Sequence, residues 1–205
     1  MKDNSELTRI NTNLFNRIAR YYDFPLINRL FTLVQKKVLN YLNIKGNSRI
    51  LDVGCGTGNF LSILEKRHKT IKLYGIDISR EMLRIAENKL KRSILMIGSA
   101  EEVKFKNEFD YVFSTEAFHH FSDPKKAVKN FYNALKKKGK LVIVDVEMGF
   151  IFNFLFHIIE PGNNKVFSRL EFKNLFKENN FKNIKQKRIC LIFLMTNGEK
   201  WNSGW

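Results

Sequence analysis

A glycine-rich stretch, DVGCGTG at residues 52–58, lies between an apolar run at residues 49–53 and a helical pattern that begins at Asn59. Glycines in such a loop let the backbone approach a ligand closely, and the free amides at the start of the helix donate to polar or anionic groups. The next apolar run ends in Asp77, whose carboxylate can accept hydrogen bonds from both hydroxyls of a ribose. A glycine string alone also serves as a tight turn, but together with Asp77 it predicts a nucleoside site.

The spacing of the glycines indicates which nucleoside is bound. Gly54, Gly56 and Gly58 do not follow the G-x-G-x-x-G pattern of dinucleotide-binding loops. Asp52, just before this loop, would repel a pyrophosphate and attract a cationic ammonium group. The amino acid end of S-adenosylmethionine carries such a group.

Three groups that could move a proton follow the apolar run at residues 109–115, namely Glu116, His119 and His120. Each has a plainer interpretation. The histidines could pack or form hydrogen bonds in the core, and Glu116 could be a solvated loop carboxylate or bind a substrate amine. These residues are therefore candidates for proton transfer, and a base is needed only if the acceptor must lose a proton.

The elements that must position these residues follow from the periodicity of the chain. Short apolar runs alternate with helical patterns of ten or more residues, which is typical of βα units around a parallel sheet. Two later runs leave no room for a helix between them and are expected to be antiparallel neighbours. The predicted strands are 49–53, 72–78, 93–98, 109–115, 140–146, 183–189 and 191–195. A helix is predicted from Pro124 to Lys138, where Lys136–Lys138 would suit the negative end of the helix dipole.

The chain of 205 residues has room for one domain of ordinary size. Residues 1–45 are predicted to be an amphipathic, helical N-terminal lid, residues 46–200 the ligand-binding domain, and residues 201–205 a tail. The apolar stretch at residues 150–159, which contains His157, could pack in the core, form a wall for an apolar substrate or touch a membrane surface. His157 itself is more typical of a core histidine.

The charge balance, 36 Lys and Arg against 20 Asp and Glu, gives a net charge of +16. The excess is spread along the whole chain, which favours a solvated, lysine-rich surface over a dedicated patch for nucleic acid or for an anionic membrane. Both partners stay open as weaker alternatives. No apolar run reaches the length of a transmembrane helix, so none is predicted.

Two cysteines, Cys55 and Cys190, lie far apart in the sequence. This usage fits a reducing compartment, and the polar N-terminal segment has no apolar run of signal-peptide length, so a cytoplasmic protein is expected. Neither cysteine stands at ligand spacing from the histidines, so no metal site is predicted.

Five motifs in order resemble the motif set of class I S-adenosylmethionine-dependent methyltransferases. The subgroup that the chain resembles includes the ubiquinone and menaquinone biosynthesis methyltransferases, which act on small molecules. The resemblance covers roughly residues 15–195 and implies an α/β fold with a Rossmann-like, seven-stranded, mostly parallel sheet, an antiparallel last strand, helices on both faces and an N-terminal helical lid. The motifs are ILDVGCGTGNF (50–60), YGIDISREML (74–83), GSAEEVKF (98–105), FDYVFSTEAFHHFSDP (109–124) and LKKKGKLVIVD (135–145), with FNRIARYYD (15–23) upstream.

The resemblance implies roles for ten cofactor-binding residues. Gly54, Gly56 and Thr57 would line the methionine end with Asp52 before them, and Asp77 would hold the ribose. Around the adenine and over the cofactor, the implied residues are Ile78, Ser99, Ala100, Thr115 and Tyr22. Ser99 departs from the Asp that the family often has there, which removes charge assistance from a hydrogen bond to the adenine amino group.

The resemblance also implies the reaction, an in-line transfer of a methyl group to a small acceptor, which is expected to be apolar or aromatic. Two alternatives stay open. The basic surface allows an RNA-directed methyltransferase, although residues 115–118 (TEAF) do not form the Asn/Asp-Pro-Pro-aromatic motif that amino-group methylation would favour. A non-catalytic S-adenosylmethionine-binding protein is the other.

Overall fold

The computed structural model describes residues 3–147 and 165–201, and its central feature is a seven-stranded sheet of order β3-β2-β1-β4-β5-β7-β6. Neighbouring strands are parallel from β3 to β5, and β7 is antiparallel to both β5 and β6. The strands are β1 Arg49–Val53, β2 Lys72–Asp77, β3 Ile94–Ile97, β4 Phe109–Thr115, β5 Leu135–Val146, β6 Phe181–Arg188 and β7 Phe193–Lys200. The helices are α1 Asn4–Tyr22, α2 Pro25–Tyr41, α3 Asn59–Arg67, α4 Arg80–Lys89, α5 Pro124–Ala134 and α6 Arg169–Glu178.

This architecture confirms the predicted fold class, a Rossmann-like, mostly parallel sheet with an antiparallel last strand. The strand order reverses between β1 and β4. The chain first adds β2 and β3 on one side of β1 and then continues with β4 on the other side. Open α/β sheets bind ligands beyond the carboxyl ends of their strands at such a reversal.

Side chains that alternate along β1 pack into two separate hydrophobic cores, one on each face of the sheet. Ile50 packs with Val34 of α2 and Phe60 of α3. Leu51, the next residue, packs on the opposite face with Phe131 of α5 and Phe172 of α6. Because successive side chains of a strand point to opposite faces, a strand of five residues is enough to anchor helices on both sides.

Side-chain caps set where three of the helices begin. Ser79 accepts a hydrogen bond from the amide of Met82 at the start of α4. Asp123 caps α5 in the same way, with Pro124 at the first helical position. Ser168 and its partner three residues on form a capping box at α6.

The predicted end of α5 is wrong. The helix stops at Ala134, and Lys136–Lys138 belong to a long β5 instead of closing the helix. Leu135 already pairs with Phe109 of β4, and the register between the two strands shifts before Tyr111 pairs with Lys140. Tertiary pairing with β4 therefore outweighs the favourable placement of lysines at a helix end.

Two antiparallel strands at the C-terminal side are longer than predicted. β6 begins at Phe181, and β7 runs from Phe193 to Lys200 instead of ending at Met195. The polar residues 196–200 gave no strand signal, yet most of them are buried, because β7 lies between two other strands.

Two helices occupy most of residues 1–45, and α1 packs against α4. Within residues 3–147 and 165–201, no helix combines the length and the apolar character that crossing a bilayer requires. The apolar stretch at residues 150–159, with His157, and the tail residues 202–205 lie outside the described residues.

Candidate active site

A cavity opens at the carboxyl ends of β1, β2 and β4, and its empty volume is about 890 Å³ when the open solvent at its mouth is counted. Nine of the ten residues predicted to bind the cofactor line it, as do Glu116 and His120. The nine are Tyr22, Gly54, Gly56, Thr57, Asp77, Ile78, Ser99, Ala100 and Thr115.

Two glycines of the loop, Gly54 and Gly56, differ in the space around them. Gly54 has φ +76°, and a Cβ atom placed on it would lie 2.5 Å from the Cβ of Ala117. The amides of Gly54 and Cys55 both donate to the carbonyl of Ile76, at 2.8 and 3.0 Å, which holds the loop against β2. Gly56 has φ +53° and open space on its Cβ side, so its backbone is accessible to a ligand.

Asp77 is fixed by the backbone and still has capacity for a ligand. Its two carboxylate oxygens accept from the amides of Gly56 and Ser79, each at 2.8 Å. Burial raises the pKa of Asp77, and the hydrogen bonds from Ser79 and Gly56 oppose that rise. A carboxylate offers about four acceptor positions. The carboxylate therefore keeps acceptor capacity for a hydroxyl group, which fits the role predicted for Asp77 with a ribose.

Asp52 is the exception among the predicted cofactor residues. Its side chain is fully buried in the sheet, does not line the cavity, and neither carboxylate oxygen has a hydrogen-bond partner. Burial, together with the charge of Asp77, raises the pKa of Asp52 to about 8. The structure therefore places Asp52 behind the loop, where it cannot touch a ligand in the cavity.

A polar cluster joins the turn between α1 and α2 to the glycine loop. Asp23 accepts from Thr57 Oγ1 at 2.7 Å and Asn59 Nδ2 at 3.0 Å, and it pairs with Lys89 of α4 at 2.9 Å. Burial alone would raise the pKa of Asp23, but hydrogen bonds from Lys89, Thr57 and Asn59 hold it below its usual value. We call these four residues the Asp23 cluster. It fixes the N-terminal helices beside the cavity.

Glu116 and Gln35 meet at the wall of the cavity. Gln35 Nε2, from α2, donates to Glu116 Oε2 at 2.9 Å, and both residues are more than nine-tenths buried. The Oε1 atom of each has no hydrogen-bond partner. Burial raises the pKa of Glu116 to about 8; Gln35 lowers it, and the charges of Asp145 and Asp52 raise it further. Glu116 also has φ +54°, a conformation that costs backbone strain and that often marks a functional site.

The two histidines differ in their surroundings. His120 lines the cavity, and the ring of Phe15 packs edge-on against it at 4.8 Å between centroids. His119 does not line the cavity, and its Nδ1 lies 2.6 Å from Asp145 Oδ1. Of the residues predicted to move a proton, the structure therefore brings His120 and Glu116 to the cavity and leaves His119 behind them.

Helix α1 supplies residues that the sequence did not single out. Asn11 donates to the carbonyl of His120 at 2.8 Å, and the side chain of Asn16 accepts from Ser79 Oγ at 2.7 Å. Gln35 was missed too, although it is a polar residue between Val34 and Val38 on the buried face of α2, and that position was the available signal. Among the described residues, no group of His, Cys, Asp and Glu side chains is arranged to hold a metal ion.

Comparisons with known proteins agree with this geometry. Residues 51–143 match the family described as "Methyltransferase domain". The chain is 32% identical over 139 residues to demethylmenaquinone methyltransferase of Thermotoga maritima, a match that covers 65% of this chain and 60% of the relative. It is 32% identical over 156 residues to the ubiquinone/menaquinone biosynthesis C-methyltransferase of Wigglesworthia glossinidia brevipalpis, covering 70% of this chain and 61% of the relative.

The fold has counterparts among solved structures. The crystal structure of an S-adenosylmethionine-dependent methyltransferase from Thermotoga maritima superposes with a TM-score of 0.74 at 23% identity, over 92% of this chain and 99% of that chain. The curated relatives are longer, since this chain spans about 60% of the length of the two named above. Residues 51–143 thus match a methyltransferase domain, and the two named relatives of the chain are methyltransferases.

Proposed function

We propose that the protein transfers a methyl group from S-adenosylmethionine to a small acceptor with an apolar or aromatic surface. The observation that carries this proposal is the pairing of Asp77 with the open backbone of Gly56 in one cavity at the carboxyl edge of the sheet. A family assignment alone does not require that these residues share a cavity, so their arrangement is independent support.

The cavity fits S-adenosylmethionine, which is the cofactor of this family. Gly54, Gly56 and Thr57 would hold the amino acid end, and Asp77 would accept from the ribose hydroxyls. The adenine would lie among Ile78, Ser99, Ala100 and Met82, which line the same cavity. When bound, the cofactor supplies a methyl group activated by a positively charged sulfur.

Aromatic rings support an apolar or aromatic acceptor. Five aromatic side chains line the cavity from the N-terminal helices, the start of α3 and the turn after β4. The relatives' names refer to demethylmenaquinone and to ubiquinone and menaquinone biosynthesis, which supports an acceptor of this kind. The five side chains are Phe15, Tyr22, Phe31, Phe60 and Phe121.

His120 is the residue that we propose to accept a proton from a hydroxyl or carbon-acid acceptor, since it reaches the cavity. His119 acts as a positioning residue, because its bond to Asp145 fixes the backbone beside His120. The main task of the protein is to hold the reacting groups in line and to exclude water.

We also propose that residues 1–45 cover the cavity of a methyltransferase domain at residues 46–200, with residues 201–205 as a tail. The Asp23 cluster supports this division because it binds the α1–α2 turn to the glycine loop. A cytoplasmic protein stays a proposal as well, supported by the two described cysteines, which form no disulfide with each other.

Calorimetry with S-adenosylmethionine, followed by methyl transfer from labelled cofactor, tests the proposed function. Saturable binding and labelling of reduced quinones or simple phenols are the expected results. Labelling of RNA instead, with an affinity that falls steeply as salt rises, would replace the small acceptor with RNA. Tight cofactor binding without transfer to any acceptor would favour a non-catalytic protein, and no cofactor binding would exclude both enzyme functions.

A further inference from the structure

The cavity is acidic although the chain as a whole is strongly basic. Among the described residues that line it are the carboxylates of Asp77, Glu101 and Glu116, and none of those lining residues is lysine or arginine. The chain carries a net charge of +16. This contrast in sign indicates that the cavity is built for a ligand with positive charge.

Two of the acidic groups are already engaged. Glu101 accepts from Ser122 Oγ at 2.9 Å and from the amide of Asp123 at 3.0 Å, and Asp77 accepts from two backbone amides. Glu116 is different, because one of its oxygens is bound by Gln35 and the other has no hydrogen-bond partner.

Gln35 and Glu116 line the cavity, and each has a buried Oε1 atom without a hydrogen-bond partner. When Glu116 is ionised, both Oε1 atoms are acceptors, and the amide nitrogen of Gln35 is already used on Glu116. A buried acceptor without a donor is unfavourable, so a ligand that supplies a donor there gains binding free energy. A ligand with several N–H donors and a positive charge satisfies both oxygens, and an ammonium group is the smallest that does.

The aromatic surroundings fit the same ligand. Phe31 lies one turn before Gln35 on α2 and lines the cavity with Tyr22, at 6.5 Å between ring centroids. Aromatic ring faces attract cations through their quadrupole, which adds to the attraction of a carboxylate.

We infer that Gln35 and Glu116 form an ammonium-binding subsite in the cavity. The ammonium belongs either to the amino acid end of the cofactor or to an amine on the acceptor. This inference rests on the proposed function. It gives Glu116 the role that the sequence analysis assigned to Asp52, which the structure seals inside the sheet.

Proton linkage supplies an independent readout. The titratable groups around Glu116 are Asp52 from β1, Asp145 from β5 and His120 from the turn after β4, while α2 contributes the uncharged Gln35. Because burial raises the pKa of Glu116 to about 8, the carboxyl group is mostly protonated at pH 7 without a ligand. An ammonium group that binds there favours the ionised form, so binding releases a proton.

The test compares two nucleosides on three variants. S-adenosylhomocysteine carries the ammonium, and 5′-methylthioadenosine lacks the amino acid. If the cofactor supplies the ammonium, Glu116→Gln and Gln35→Leu weaken S-adenosylhomocysteine by about ten- to a hundredfold and leave 5′-methylthioadenosine unchanged. Glu101 is also a carboxylate of the cavity, but it has hydrogen-bond partners of its own, so Glu101→Gln is the matched control. This control should not weaken the binding of S-adenosylhomocysteine relative to that of 5′-methylthioadenosine. Calorimetry in buffers of different ionisation enthalpy should show fewer protons released by Glu116→Gln.

A second arm tests the acceptor as the source. Protein saturated with S-adenosylhomocysteine is titrated with 2-phenylethylamine and with 2-phenylethanol. Preference for the amine, lost in Glu116→Gln while S-adenosylhomocysteine binds normally, assigns the subsite to an acceptor amine. If neither S-adenosylhomocysteine nor the amine responds to the variants, the inference is overturned although the proposed function stands. If the wild-type protein binds neither nucleoside, the proposed function is overturned, and the inferred subsite is overturned with it. Thermal unfolding identifies a misfolded Glu116→Gln protein, in which case Gln35→Leu decides.

Discussion

Asp145 binds His119 at two points, since its carboxylate accepts the backbone amide at 2.9 Å and lies 2.6 Å from ring Nδ1. Both residues are at least 96% buried, so the pair is sealed beneath the turn that carries His120. His119 is thereby committed to this buried contact, whereas His120 lines the cavity.

The two histidines should therefore respond differently to substitution. His119→Ala leaves the buried Asp145 without its ring partner and is expected to lower the free energy of unfolding by about 2–4 kcal/mol. His120→Ala is expected to leave cofactor affinity unchanged and to lower kcat by about a hundredfold or more. Urea unfolding and steady-state kinetics measure the two effects. A loss of cofactor binding in a folded His120→Ala protein would contradict the proton-transfer role.

Gly54 and Gly56 should separate stability from binding. Gly54→Ala adds a Cβ atom 2.5 Å from Ala117 and is expected to destabilise the fold by about 2–3 kcal/mol. Gly56→Ala meets no atom within 4 Å, so it is expected to cost only about 1 kcal/mol of stability, yet its methyl group would stand where the cofactor approaches. Thermal unfolding and calorimetry with S-adenosylmethionine report the two losses. Equal losses of stability in both variants would be the contrary result.

Asp77 should contribute to cofactor affinity beyond its role in the loop. Asp77→Asn keeps the size of the side chain but removes the charge that strengthens hydrogen bonds from ribose hydroxyls, so we expect S-adenosylmethionine to bind about tenfold more weakly. Asp110→Asn is a suitable control, because Asp110 binds Lys136 at 2.8 Å away from the cavity. Calorimetry measures both. Unchanged affinity in Asp77→Asn would remove this residue from the binding site.

Asp52 should make the fold less stable as the pH rises. Its pKa is raised to about 8 in the folded state from 3.8, so the folded protein holds a proton that the unfolded chain releases between these values. The stabilisation is present at low pH and is lost as the pH passes 8. Asp52→Asn is expected to reduce the fall in unfolding free energy between pH 5 and 8 by on the order of 3 kcal/mol. Part of the slope remains, because Glu116 has a similarly raised pKa. Urea unfolding at the two pH values measures the effect, and an unchanged slope would contradict it.

The Asp23 cluster should control how firmly α1 is held. Asp23→Ala removes the partner of Thr57, Asn59 and Lys89, and amides of α1 are expected to exchange about five- to tenfold faster with solvent. The pKa of Asp23 is lowered, so the cluster stabilises the fold above the usual carboxylate range and is lost as the pH falls through the lowered value.

Hydrogen–deuterium exchange at neutral pH tests this prediction. Glu81→Ala, which breaks only an exposed pair with Arg84 on α4, should leave the exchange of α1 unchanged. Equal acceleration in both variants would show that the cluster has no special role.

Local patterns in the sequence were enough to predict most of the sheet and the outline of the site. The run at Arg49–Val53 and the helix at Asn59–Arg67 have the predicted bounds, because apolar periodicity and glycine agree there. The end of α5 was wrong because pairing of Leu135 with Phe109 is a contact between residues far apart in sequence, which no local pattern carries.

In the functional site, too, some residues could be predicted from local sequence and others only from the tertiary fold. The glycine loop and Asp77 could be recognised from residue type and spacing, and in the structure they line the same cavity. Gln35 and Asp23 come from helices that only the tertiary fold carries to the loop. The orientation of Asp52 was also beyond the sequence, because a residue at the end of a strand can point either into the sheet or toward the ligand edge.

The placement of β7 between β5 and β6 has a consequence for synthesis of the protein on the ribosome. The edges of β5 and β6 that face each other stay uncovered until residues 193–200 form β7, which is the last regular segment of the described chain. Until that segment emerges, β5 presents an unpaired edge rich in valine, which is the kind of surface that associates with other chains. Nascent chains stalled short of this point should therefore depend on chaperones and aggregate, whereas release of the finished segment closes the sheet in a single late step.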